Sequence, residues 1–90
     1  MHMQKIQVQN SMVPDMKWEF EKQHLENRSP AEIIRTLIES GQIKGAHGEW
    51  KVSHQGELLN NENPLSHQVD LRAPEMRLQI HPIVAGAFVY

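Results

Sequence analysis

Residues 29–41 read Ser-Pro-Ala-Glu-Ile-Ile-Arg-Thr-Leu-Ile-Glu-Ser-Gly, and their reading decides the fold. Ser29 suits a helix N-cap, Pro30 the first helical position, and Glu32 the third position of a capping box. Ile33, Ile34, Leu37 and Ile38 then share one stripe at helical spacing. Gly41 suits the C-cap. The spacing predicts one helix over about residues 30–40, with Ile43 packing back under its end. A lone helix cannot bury its stripe without a partner, so a sheet must lie against it.

The flanking sequence changes period to two. On the N-terminal side, Ile6 and Val8 alternate with Lys5, Gln7 and Gln9. Met16, Trp18 and Phe20 alternate with Lys17, Glu19 and Glu21, which reads as a second strand over residues 16–22. Asn10-Ser11 and Pro14-Asp15 between them carry turn signals, so a hairpin is expected. On the C-terminal side, Trp50 and Val52 alternate with Lys51 and Ser53, a third strand. Gln55-Gly56 marks a turn into a short strand at Glu57-Leu58-Leu59. Asn60 to Pro64 is a polar loop, and Pro64-Leu65-Ser66 opens a short helical turn. Leu65, Val69 and Leu71 are candidates to plug the core. After the turn at Ala73-Pro74-Glu75, Met76, Leu78 and Ile80 alternate with Arg77, Gln79 and His81. The order is strand, strand, helix, strand, short strand, strand. It predicts an α+β domain in which a mixed sheet of four to five strands clasps one helix. The last strand is expected to lie parallel beside the first.

Composition narrows the function. Ninety residues make one small domain with little room for an enclosed active-site cavity. The formal net charge of −2 and the scattered Lys and Arg argue against nucleic acid or a membrane surface as partner. There is no cysteine, so disulfides, thiolate metal sites and a cysteine nucleophile are impossible. A reducing cytoplasm fits that composition. There is no basic-then-apolar signal pattern at the N-terminus and no long apolar run. Residues 1–4 are expected to lie outside the domain, with Met1-His2 as a cloning remnant and Met3 as the natural start.

No group of residues recommends catalysis. The six histidines are His2, His24, His47, His54, His67 and His81, and none forms a metal-binding pair spacing. His47 and His54 flank the third strand. Glu19 and Glu21 share a predicted solvent face beside Lys17, as ordinary surface charges do. Ser11, Ser29, Ser53 and Ser66 lack a nucleophile context. Gly45-Ala46-His47-Gly48 reads as a flexible loop, not a phosphate cradle. Trp18 and Trp50 fall at inward positions, where each indole N–H needs an acceptor. The expectation is a protein without enzymatic activity, cofactor or metal.

The segment after the last strand is the most informative. His81-Pro82 leads into Ile83-Val84-Ala85-Gly86-Ala87-Phe88-Val89-Tyr90, apolar but for one phenol hydroxyl. An apolar stretch of this length left in water invites aggregation. Three fates remain open: docking on its own domain, capture by a partner or a neighbouring copy, or removal.

From about Lys5 to His81 the chain resembles the ubiquitin-like family. The hairpin, the capped helix and the stretch W-K-V-S-H-Q-G-E-L-L-N-N-E-N-P-L-S-H-Q-V-D-L follow the family's element order. The distance from Gly56 to Leu65 matches that between the family's turn glycine and its core-plugging leucine. The resemblance implies a ubiquitin-like β-grasp over residues 5–81 followed by a tail over 82–90. It points to the ubiquitin-like modifiers of bacterial conjugation operons. On that reading Gly86 is the cleavage or attachment residue. Ile83, Val84 and Ala85 are then its recognition stretch, and Ala87, Phe88, Val89 and Tyr90 a removable cap or docking tail. Activating and conjugating enzymes and a tail-processing protease would be the partners. The alternative is a non-conjugated interaction module, an assembly or secretion accessory, or a homo-oligomer formed through the tail. The family's modifiers usually close with Gly-Gly, whereas here a single glycine is followed by four more residues. Ser53 and Gln79 stand where ubiquitin presents an apolar surface patch, so ordinary ubiquitin receptors should not bind.

Overall fold

A computed structural model describes residues 5–72 and 75–83, with only the backbone for His47 and Glu75. Its strands are β1 (Lys5–Asn10), β2 (Lys17–Glu21), β3 (Trp50–His54), β4 (Glu57–Leu58) and β5 (Glu75–Pro82). They form one mixed sheet in the order β2-β1-β5-β3-β4. β1 pairs antiparallel with β2 and parallel with β5, in register Lys5↔Glu75 through Asn10↔Ile80. β3 pairs antiparallel with both β5 and β4. The parallel pairing of first and last strands is therefore as expected.

The helix α2 (Pro30–Glu39) forms for the local reasons its sequence carries. The Ser29 side chain accepts from the Glu32 N–H, and the Ser29 N–H donates to Glu32 Oε1. Together they satisfy two donors at the helix start. Gly41, at φ +78°, adopts the left-handed conformation that ends the helix. The buried stripe of α2 is Ile33, Ile34 and Leu37, with Pro30 and Ala31 at its start.

That stripe meets the inner face of the sheet. Ile6, Val8, Trp50, Val52, Met76, Leu78 and Ile80 join Ile33, Ile34, Leu37, Ile43, Leu25 and Leu65 in one core. Leu65 is fully buried from a 3-10 turn over Leu65–His67, and Val69 and Leu71 pack half-buried against the core. Its backbone is held by the Leu65 N–H donating to Arg28 O and the Ser66 N–H to Glu26 O. Gln55 and Gly56 both have positive φ, 53° and 85°, as a two-residue hairpin turn that matches strand twist requires.

Two local expectations are corrected. The second strand stops at Glu21, and a short helix α1 (Lys22–Leu25) follows it. The bend swings Leu25 into the core, which continued strand would not do. The segment before β3 is also not a simple loop. A 3-10 turn spans His47–Glu49, and the Ala46 N–H donates to Glu49 Oε1 at 2.7 Å.

Candidate functional site

The geometry of interest is the point where the last strand leaves the sheet. β5 pairs with β3 as far as Trp50↔Pro82. One residue later the Ile83 N–H donates to Glu49 O at 2.6 Å. Ile83 is half-buried. On its other side β1 has ended, its last link being the Ser11 N–H donating to Ile80 O. Ile83 is thus anchored on the β3 side, and among the described residues no strand pairs with it on the other.

That anchor is built from the segment that precedes β3. Trp50 is buried, and its indole N–H donates to Lys44 O at 2.9 Å, which ties the start of that segment to the ring. Gly45 has φ +105°, and a Cβ there would sit 3.2 Å from Glu49 Oε1. Any side chain at residue 45 would strain the backbone and crowd the carboxylate that holds the turn.

His81, two residues before Ile83, is tied to the sheet's outer face. Its Nε2 lies 2.6 Å from Ser53 Oγ, and across the ladder it faces Lys51. Ser53 in turn lies directly opposite Gln79. Ser53 is buried although polar, while Gln79 is exposed. The two positions where an apolar patch would sit are therefore adjacent on one face, and both are polar. Large apolar side chains do stand exposed elsewhere: Met12 and Val13 in the β1–β2 turn and Leu58 on β4.

Of the tail residues singled out from sequence, only Ile83 falls within the described residues. Val84, Ala85, Gly86, Ala87, Phe88, Val89 and Tyr90 lie outside them. The remaining candidates sit apart. His47 opens the 3-10 turn that precedes β3, and His54 ends β3. Glu19 and Glu21 lie on the outer side of β2, opposite Gln7 and Lys5. Ser29 serves as the α2 cap. Among the described residues no group of His and carboxylates is placed to hold a metal ion. Trp18 is half-buried, and its indole N–H donates to Gln42 Oε1 at 3.0 Å.

Shifted acid groups are capping and turn features, away from the tail base. Glu32 is held below the ordinary carboxylate range, first by the Ser29 N–H. Asp70 is lowered to about 2, chiefly by hydrogen bonds from the Arg72 side chain and then its backbone N–H.

The strand order and the helix across one face define a ubiquitin-like β-grasp fold. Fifty-five solved chains match it. One is a ubiquitin from Caldiarchaeum subterraneum, with a TM-score of 0.65 at 14% identity. The match covers 93% of this chain and 98% of that one. At this identity the likeness is one of fold. No protein-family model and no curated protein sequence matches the chain.

Proposed function

We propose that this chain is a ubiquitin-like protein modifier or its precursor, of the kind bacterial conjugation operons encode, acting through the segment that follows β5. The observation that carries this reading is the end of the last strand. In a β-grasp frame it delivers Ile83 from a base held by Glu49 O, with Gly86 three residues further on. A glycine there suits a narrow enzyme channel, because a residue without Cβ lets a partner's backbone approach closely. Cleavage after Gly86 would expose a new carboxylate and release Ala87–Tyr90. An activating enzyme would use that carboxylate to join the domain to a target amine or hydroxyl. The domain itself is then a substrate and a recognition surface in the cytoplasm, with no chemistry of its own. Ile83, Val84 and Ala85 supply side chains for recognition. The polar Ser53–Gln79 pair would turn away receptors that require an apolar sheet patch.

The test is incubation of the chain with a processing protease and an activating enzyme from the same genome. The expected product ends at Gly86 and gains an adenylate from ATP with release of pyrophosphate. A Gly86→Leu variant should lose both steps and keep its unfolding midpoint. Equal processing of the variant would overturn the assignment of Gly86.

A further inference from the structure

We propose that residues 84–90 of one copy add as an extra strand along the free edge of β2 in a second copy. This assembly goes beyond the modifier reading and does not depend on Gly86 being cut.

The outer edge of β2 is open among the described residues. The Asn10 N–H donates to Met16 O, so Asn10 and Met16 form a hydrogen-bonded pair of the β1–β2 ladder. Antiparallel ladders alternate, so Val8/Trp18 and Ile6/Phe20 are the next such pairs. The backbone groups of Lys17 and Glu19 therefore point away from β1. β2 is the outermost strand on that side, and no described strand pairs with them. A row of unpaired N–H and C=O groups is a template for another extended chain. On the inner side of the same strand, Trp18 and Phe20 stay half-buried, as does Ile38 of α2. An added strand with apolar side chains would finish covering them. The opposite edge is a poorer template, because β4 is only two residues long.

The segment Val84-Ala85-Gly86-Ala87-Phe88-Val89-Tyr90 is uncharged and has no proline, so every residue can donate to a ladder. Alternation puts Val84, Phe88 and Tyr90 on one side of an extended chain, the side that would meet Trp18 and Phe20. Seven extended residues span about 23 Å, and a five-residue strand such as β2 about 17 Å. In the same copy the segment starts beyond β5, with β1 and β2 in the way. Three strand spacings of about 4.8 Å and the β1–β2 turn must be crossed first. The residues left would be too few to line the edge. Donor and acceptor are different surfaces, so the contact closes as a reciprocal dimer or continues as a chain of copies.

The experiment uses the full chain. Analytical ultracentrifugation over a concentration series is combined with residue-resolved amide exchange. The expected result is association that grows with concentration, with the Lys17 and Glu19 amides protected only in the associated state. Phe88→Asp should abolish association and that protection while leaving the β1–β5 amides protected. Glu19→Pro removes an outward N–H that β1 does not use, and it should also abolish association. A chain that stays monomeric at its solubility limit would overturn the proposal. So would association that survives Phe88→Asp, or protection of Lys17 and Glu19 that is independent of concentration. None of these readouts involves a processing enzyme, so failure here and failure of the Gly86 reading are separable.

Discussion

The two faces of the sheet differ in kind, although the same strands supply both. Toward α2, β1, β3 and β5 present Ile6, Val8, Val52, Leu78 and Ile80, all essentially without exposure. Away from it they present Lys5, Gln7, Gln9, Lys51, Ser53, Arg77, Gln79 and His81. The inner face explains why the chain folds. The outer face is polar, and its side chains tie to one another across the ladder, as in the Ser53–His81 contact. Apolar packing and polar groups are thus assigned to opposite faces, a division that period-2 alternation makes possible.

Substitutions at neighbouring residues on opposite faces would break or sharpen that contrast. The largest effect is expected at Leu78→Ala, a fully buried site on the central strand β5, which should lose about 2–5 kcal/mol in urea unfolding. Removing the cap with Ser29→Ala should cost about 1 kcal/mol, because the Glu32 N–H loses its side-chain acceptor and keeps only Ser29 O.

Acid sensitivity comes next. The folded-state carboxyl pKa values of Glu32 and Asp70 are depressed, so their contribution is present above the unfolded values of 4.5 and 3.8. It is lost as pH falls through the folded values, for Asp70 down to about 2. Both groups are exposed, so the effect is small. The predicted outcome is a shallow loss of stability below the ordinary carboxylate range, flattened on the Glu32 side by Glu32→Gln and on the Asp70 side by Asp70→Asn. Identical pH profiles for wild type and both variants would contradict it. The smallest effect is expected one residue from the largest: Gln79→Ala should change stability by less than about 0.5 kcal/mol.

Most of this contrast could be read from the sequence. The alternation of Met76, Leu78 and Ile80 with Arg77, Gln79 and His81 predicted which side chains face α2, and the Ser29–Glu32 cap placed the helix start. What escaped was structure decided at a distance. Lys22-Gln23-His24-Leu25 carries one apolar residue, too little to show a helical period. It turns because the core has room for Leu25, which is 4% exposed. The Gly45–Gly48 segment reads as flexible because its glycines are evident and its ties are not. Those ties run to Glu49 Oε1 and, through Lys44 O, to the Trp50 indole. The Ser53–His81 contact joins residues 28 apart and needs the antiparallel β3–β5 register before it can exist. The role given to Gly86 came from resemblance and position, since a lone glycine in an apolar stretch has no local pattern that announces its use.

Intact-mass and peptide mass spectrometry of the chain recovered from its native cells tests the functional reading most directly. The account predicts species that end at Gly86, free or joined through that carboxylate to another protein. A population carrying only unprocessed chains through Tyr90, with no adducts under any growth condition, would contradict it.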